Sequence, residues 1–134
     1  MTKTNIDLTS TITQEDDQET FNKKASGEII VNETETRISY LEDEETPVKM
    51  LLKENKLILR RGVDKNNYSL LKFVPGEKMA CRYVVNGRQM DLISVTNKLK
   101  FTKRKDGSQK LQLEYDLFSG LYLVGNYTVT LIFT

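Results

Sequence analysis

Residues 79–92 have the sequence MACRYVVNGRQMDL, and this stretch decides the fold class. Before its centre, Met79, Cys81 and Tyr83 are separated by single residues, which is the spacing of a β-strand whose alternate side chains face one core. The central dipeptide Asn86-Gly87 suits the two positive-φ positions of a type I′ turn. The stretch therefore predicts a β-hairpin.

The same period of two recurs on both sides of this hairpin, in short segments separated by turn signals. We count about eight to ten strands. Consecutive strands joined by short turns form a meander, and closure removes the two exposed edges of a meander. We therefore predict an all-β fold, a single antiparallel meander β-barrel. A two-sheet sandwich would show the same alternation, but it usually needs longer connections.

Two local details are predicted within this fold. Acidic and polar residues interrupt the alternation at residues 14–20, and only residues 15–24 leave room for a short helix. After the Asn86-Gly87 turn, the apolar positions change parity between Leu92 and Ile93. Such a change predicts a β-bulge near Leu92 that bends a long strand.

Length and composition indicate one domain, residues 1–134. A chain of 134 residues fits a single core, and 38% hydrophobic residues are typical of a globular protein. No apolar run approaches the roughly 20 residues of a membrane helix, and the first residues lack the apolar core of a secretory signal. The chain has one cysteine, Cys81, which cannot form an internal disulfide. We predict a cytoplasmic protein without a membrane association.

The charges are unevenly distributed along the chain. Residues 1–45 carry four basic and twelve acidic side chains, whereas the remainder carries sixteen basic and seven acidic ones. One stretch of the second half forms a basic exterior strand and turn, composed of Lys98, Lys100, Lys103, Arg104 and Lys105. Such a surface could bind phosphates, but the aromatic residue of this strand, Phe101, has core parity and cannot stack on bases. A charged exterior that discourages association explains the cluster more simply.

The residue types needed for most catalytic and metal sites are missing. The chain has no histidine, which removes the commonest general base and zinc ligand. No phosphate-binding loop or serine-hydrolase motif is present. The acidic clusters at residues 15–19 and 42–45 lack the spacing of a calcium loop, so we interpret them as solvated turns. We predict a protein that is not an enzyme, with no cofactor, metal or catalytic residue.

A polar set shares the parity of the predicted core. Its members are Arg61, Tyr40, Tyr83, Tyr115 and Tyr127. In an open barrel, a buried guanidinium surrounded by phenols would suit a carboxylate ligand, whose charge offsets the cost of burying the arginine. Alternatively, the tyrosine hydroxyls reach water at the barrel rim, and Arg61 is solvated at a strand end.

A scattered set of residues also resembles a known family. Its members are Gly27-Glu28, Tyr40-x-Glu42, Arg61-Gly62, Phe73-x-x-Gly76, Tyr83, Asn86-Gly87, Thr96, Leu113-x-Tyr115-x-Leu117 and Gly125-Asn126-Tyr127. In this order they resemble the YwiB-like family of uncharacterised small proteins of Gram-positive bacteria. The resemblance implies a cytoplasmic, calycin-like barrel, related in shape to lipocalins and fatty-acid-binding proteins. It implies no activity, substrate or catalytic residue. The usual family turn carries a proline where this chain has Asn86, which affects the hairpin prediction little.

Two functions of different classes follow from these observations. The first is a binding protein whose barrel interior takes a small, partly apolar molecule, either neutral or anionic. Arg61 and the inward tyrosines would hold it. The second is an interaction module that binds an anionic macromolecule, a nucleic acid or an acidic protein, through the basic residues 98–105. Nucleic acid is the less favoured partner, because aromatic residues are missing from the exposed face of that strand.

Overall fold

The computed structural model describes residues 2–134, and it contains ten antiparallel strands. The strands are β1 (Thr2–Gln14), β2 (Asp17–Val31), β3 (Thr36–Glu42), β4 (Thr46–Lys53), β5 (Lys56–Asp64), β6 (Asn67–Phe73), β7 (Lys78–Val85), β8 (Arg88–Lys103), β9 (Gln109–Ser119) and β10 (Tyr122–Phe133). Each strand pairs with its sequence neighbours, and β1 pairs with β10, which closes the barrel. The predicted all-β meander barrel is confirmed. Among the described residues, no helix has the length and apolar character needed to cross a membrane.

The predicted β7–β8 hairpin is present. Asn86 and Gly87 have φ values of 51° and 78°, as a type I′ turn requires. In an antiparallel meander, alternate turns lie at opposite ends of the barrel. The β7–β8 turn therefore lies at the same end as the β1–β2, β3–β4, β5–β6 and β9–β10 turns, and the start of β1 and the end of β10 lie at the other end.

The core occupies the barrel interior, and it is formed by the alternate residues of each strand. In β9, for example, Leu111, Leu113, Tyr115 and Leu117 are all buried, and a half-buried residue lies between each of them. Phe73 is 1% exposed, and its ring centroid lies 4.5 Å from that of Tyr115. Because alternate residues of each strand face inward, side chains from all around the barrel pack together in one core.

The predicted bulge exists, but its predicted position near Leu92 is wrong. The register of β8 against β9 shifts between Thr96 and Lys98. The inward positions before the shift are occupied by Ser94 and Thr96, which are 0% and 1% exposed. Because both are polar, the apolar pattern does not reveal them. The hydroxyl of Ser94 donates a hydrogen bond of 2.7 Å to the backbone oxygen of Lys72, which allows its burial.

The helix considered for residues 15–24 is also absent from the described chain. Glu15 has a φ of 53° in a tight turn, and β2 then pairs with β1 along the full length of β1. Local polar composition is therefore overridden by cross-strand pairing with β1, which satisfies the backbone groups on that side of the segment.

Strand β2 separates from β3 over most of its length. The two strands pair only where Gly27–Val31 lies beside Thr36–Tyr40. A side chain at Gly27 would collide with the backbone oxygen of Ser39, and a Cβ there would lie 2.8 Å from the Cβ of Tyr40. Glycine thus permits the close contact from which the two strands diverge. Residues 17–26 of β2 pair with β1 but, within residues 2–134, with no strand on their other side.

Candidate functional site

The barrel encloses a cavity of about 320 Å³ that reaches the separation between β2 and β3. Its inner part is apolar and includes Leu57, Phe73 and Leu111, which are at most 1% exposed. Its outer part includes Phe21 and Lys23 of β2, and Phe21 is 44% exposed. The cavity therefore has an apolar, buried floor and a mouth in contact with solvent.

All five residues of the predicted interior site lie on the wall of this cavity. They are Arg61, Tyr40, Tyr83, Tyr115 and Tyr127. Tyr40 and Arg61 both lie opposite Val48, so they occupy one row across β3, β4 and β5. The rings of Tyr115 and Tyr127 stack with centroids 5.0 Å apart. Strand pairing thus brings together residues that are distant in sequence.

Arg61 is paired with an acidic residue that sequence reasoning did not assign to the site. Its Nη2 donates a hydrogen bond of 3.0 Å to Oε1 of Glu42, and the side chain of Glu42 is only 14% exposed. The interpretation of residues 42–45 as solvated turns is wrong for Glu42. The available signal was parity, because Glu42 continues the inward series of Ile38 and Tyr40.

Lys23 bridges the separation between β2 and the end of β3. Its Nζ lies 3.0 Å from Oδ2 of Asp43 and 3.7 Å from Oε1 of Glu42. Together with Arg61, these residues place two positive and two negative charges at the cavity mouth. The mouth is therefore close to neutral.

Two buried polar atoms of the cavity wall have no hydrogen-bond partner among the described residues. They are Oη of Tyr40, whose residue is 8% exposed, and Nε of Arg61. The Arg61 guanidinium is near enough to act on the Tyr40 phenol through its charge and through a weak hydrogen-bonding contact, but no hydrogen bond of standard geometry reaches Oη of Tyr40 or Nε of Arg61. A phenol and a guanidinium Nε–H can both donate to an oxygen. Buried donors without partners are costly, so in native proteins such atoms normally pair with other protein groups, water, an ion or a ligand.

Burial raises the pKa values of the cavity tyrosines above the ordinary value of a tyrosine. It raises the pKa of Tyr40 to about 12, with Arg61 opposing and Glu42 adding to the shift. Burial, followed by the neighbouring Tyr127, raises the pKa of Tyr83 to about 12. The pKa of Tyr115 is held well above 10 by burial, and burial also raises the pKa of Tyr127. At neutral pH these groups are phenols that can donate a hydrogen bond.

A second, larger depression of about 850 Å³ lies on the outer surface, beside Asp7, Lys24 and Leu41. It is an open groove, and Leu41 on its wall is 50% exposed. The buried atoms without partners in the described part of the chain include none on its walls. The interior cavity is therefore the better candidate for a binding site.

The basic residues predicted as an anion-binding surface lie apart from the cavity. Lys98, Lys100, Lys103, Arg104 and Lys105 are all exposed, along β8 and the turn after it. Lys98 lies opposite Glu114 on β9, which reduces the local positive potential. The exposed aromatic Tyr122 pairs with Ser119 at the opposite end of β9, so it is far from this cluster. Within residues 2–134, the structure brings these basic residues together without an exposed aromatic surface beside them on which bases could stack.

Comparison with known proteins places the chain in a family. The family described as a domain of unknown function, DUF1934, matches residues 6–131. The chain belongs to this family. The DUF1934 barrel is also similar to the crystal structure of the YwiB protein from Bacillus subtilis, with a TM-score of 0.82 at 16% sequence identity. That match covers 98% of this chain and 90% of the other.

These matches confirm the YwiB-like resemblance and the fold of this DUF1934 protein. At 16% identity the structural match concerns the shape of the chain alone. The curated proteins include none that matches this sequence. The function of the DUF1934 barrel must therefore be argued from its own cavity.

Proposed function

We propose that this protein binds a small, partly apolar molecule in the barrel cavity and holds an acceptor oxygen of that molecule between Tyr40 and Arg61. One observation carries the proposal. Oη of Tyr40 and Nε of Arg61 are buried beside one cavity without partners among the described residues. An oxygen that accepts from both would remove the cost of leaving them unpaired.

The cavity limits the size and polarity of the ligand. A volume of about 320 Å³ is at the lower end of small-molecule sites. Leu57, Phe73 and Leu111 form an apolar floor, which favours a short hydrocarbon or ring. Tyr40 and Arg61 lie near Glu42 and Lys23 at the mouth, so the oxygen-bearing end of the ligand faces the gap between β2 and β3.

The charge of the ligand depends on Glu42. If Arg61 were unpaired, a carboxylate would be needed to offset its charge. Glu42 already supplies that charge at 3.0 Å. A neutral carbonyl or amide oxygen can therefore bind without breaking the Glu42–Arg61 ion pair, whereas a carboxylate must compete with Glu42 for the guanidinium. The shared requirement is an acceptor oxygen on a compact apolar body.

A ligand panel tests this proposal. Native mass spectrometry of protein purified under mild conditions would detect a retained small molecule. Thermal unfolding would then be followed with carboxylic acids of graded chain length and with the matching amides and alcohols. A ligand at 100 times its Kd is expected to add about 2.7 kcal/mol to the free energy of unfolding. The proposal fails if no retained molecule and no stabilisation are found.

A cavity-filling variant controls for binding elsewhere on the surface. Leu8 is half-buried and lies on the cavity wall. Leu8→Phe is expected to remove stabilisation by the whole panel while the circular dichroism spectrum of a β-protein is kept. Stabilisation that persists in a folded Leu8→Phe protein would place the ligand outside the barrel.

Replacing Tyr40 by phenylalanine separates binding from stability. The change removes a buried hydroxyl without a partner, so we expect the free energy of unfolding of the unliganded protein to stay constant or to rise by up to about 1 kcal/mol. Ligand affinity is expected to fall roughly five- to thirty-fold, because one hydrogen bond to the ligand is lost. Calorimetric titration and urea unfolding measure the two effects. Tyr122→Phe, at an exposed position, is the matched control and should change neither.

Glu42→Gln is expected to change which ligand charge is preferred. Without the carboxylate, the Arg61 charge is left for the ligand, so carboxylic acids should gain roughly three- to ten-fold over the matching amides. The stability cost should be modest, about 1 kcal/mol, because the Arg61 side chain is 42% exposed. Glu44→Gln in the adjacent exposed turn is the control. If the ratio of the affinities for acids and for matching amides does not change, Arg61 does not contact the ligand.

Two other predictions from the sequence stay predictions. Binding of an anionic macromolecule by residues 98–105 is supported by charge alone. A salt titration with RNA, DNA and an acidic protein would test it, since binding should weaken steeply with salt. The cytoplasmic location is likewise supported by the lone cysteine and is open to fractionation experiments.

A further inference from the structure

The open edge of β2 is a backbone surface that can accept another strand. Residues 17–26 of β2 pair with β1 on one side, and pairing with β3 begins only at Gly27. No strand within residues 2–134 pairs with the other side of this ten-residue segment. An open edge of this length presents unpaired N–H and C=O groups, and natural proteins normally cover or disrupt such edges.

The charges on this edge are arranged in two opposite halves. Asp17 and Glu19 lie in the first half, and Lys23 and Lys24 lie in the second. Between them lies Phe21, which is 44% exposed. Here the two halves are complementary to each other when a copy of the segment runs in the opposite direction.

We propose that β2 pairs with β2 of a second copy of this chain, antiparallel about a two-fold axis at Phe21. Directly opposite residues in an antiparallel pair lie on the same face of the sheet. Phe21 and Lys23 share the inner face with Glu19, because all three lie opposite inward residues of β1. Centring the pair on Phe21 keeps inner faces together and places Glu19 opposite the partner's Lys23, where it competes with the Asp43 and Glu42 that contact Lys23 within one copy.

This register is favoured over its alternatives by charge. The two-fold axis produces the Glu19 to Lys23 pair twice, and it buries Phe21 against the partner's Phe21. A parallel pairing in register would place each acid beside the same acid of the partner, which is repulsive. The antiparallel pairing is also the isologous arrangement that closes at two subunits and exposes no further edge of β2.

Cysteine cross-linking tests the register directly. Opposite residues of an antiparallel pair have Cα atoms about 4.5–5.5 Å apart, which suits a disulfide. Phe21→Cys should therefore form a covalent dimer under mild oxidation, while the native Cys81 is buried and should not react. Leu121→Cys, at a fully exposed turn position, is the control. Phe21→Cys should cross-link roughly ten- to a hundred-fold faster than the control at equal protein concentration.

Charge variants test the partner's identity. Glu19→Lys and Lys23→Glu should each weaken the homodimer, because like charges then meet at both Glu19 to Lys23 contacts. A mixture of the two variants should restore dimerisation, since both contacts in the heterodimer again join opposite charges. Sedimentation velocity on each variant and on the mixture gives the answer. Glu33→Lys makes the same charge change in the distant β2–β3 turn and should leave the dimer unaffected.

The proposal is overturned by either of two results. One is a wild-type protein that remains monomeric up to about 1 mM, a concentration that detects even weak association. The other is a Phe21→Cys variant that cross-links no faster than Leu121→Cys. The cross-linking comparison remains decisive if Lys23→Glu disturbs the barrel, because it leaves Lys23 and its contacts with Glu42 and Asp43 in place.

Discussion

Replacing Phe73 by alanine is expected to lower the free energy of unfolding by about 3–5 kcal/mol. Phe73 is 1% exposed, and it lies against Tyr115 on the floor of the cavity. Truncation removes apolar area from the core, and it also enlarges a space that the rigid barrel cannot collapse to fill. The second effect places the expected loss in the upper part of the range for core substitutions. Urea or thermal unfolding measures it.

Phe21→Ala is the matched control for this prediction. The two positions carry the same side chain and line the same cavity, but Phe21 is 44% exposed at the mouth. Its truncation should cost less than about 1 kcal/mol. Equal losses at the two positions would contradict the assignment of Phe73 to the floor and Phe21 to the mouth. A larger cavity in a folded Phe73→Ala protein should also accept bulkier members of the ligand panel.

The sequence predicts the fold well because the barrel repeats one simple rule. Alternate residues face a common interior, and tight turns connect neighbouring strands, so local period and turn chemistry together specify the meander. The Asn86-Gly87 hairpin shows both signals at once, and both are confirmed. Closure is a non-local event, but the pairing of β1 with β10 follows from the cost of leaving two long edges open.

The sequence fails where polar residues face inward. The β8 bulge is predicted at the wrong position because the inward residues before it, Ser94 and Thr96, are polar. An apolar pattern does not mark such residues as inward-facing. Glu42 is missed for a similar reason. Its neighbours are acidic and solvated, whereas its own parity follows Tyr40.

The predicted site likewise has a part that the sequence could reveal and a part that it could not. Arg61 and the four tyrosines could be found from parity, and the structure places them on one cavity wall. Lys23 has the same inward parity as Phe21, but its contacts with Glu42 and Asp43 could not be found in this way. They depend on the divergence of β2 from β3, which is set by the close contact at Gly27 and not by any local pattern. Parity thus identifies which side chains face the interior, but the tertiary path of the strands decides how the mouth is built.

Raising the pH from about 9 to about 12 is expected to lower the free energy of unfolding by about 4–5 kcal/mol through Tyr40 and Tyr83. Burial raises the pKa of each from 10.0 to about 12. Below about pH 10 both states hold the phenolic proton, so this contribution to stability is fully present. Between the two pKa values the unfolded chain releases its protons while the folded barrel retains them. Stability therefore falls as the pH rises, and the loss is complete above about pH 12.

The double variant Tyr40→Phe/Tyr83→Phe isolates this contribution from other groups that titrate in alkali. Urea unfolding at about pH 9 and about pH 12 gives the loss of unfolding free energy for each protein. The wild type should lose about 4–5 kcal/mol more than the double variant. The ultraviolet absorbance of tyrosinate should show late ionisation in the folded wild type, followed by release of the remaining protons on unfolding. Equal losses in the two proteins would mean that these phenols are solvated, and the hydrogen-bonding role proposed for Tyr40 would lose its physical basis. A larger loss in the wild type would show that the barrel excludes water from the position where the ligand's oxygen is proposed to bind.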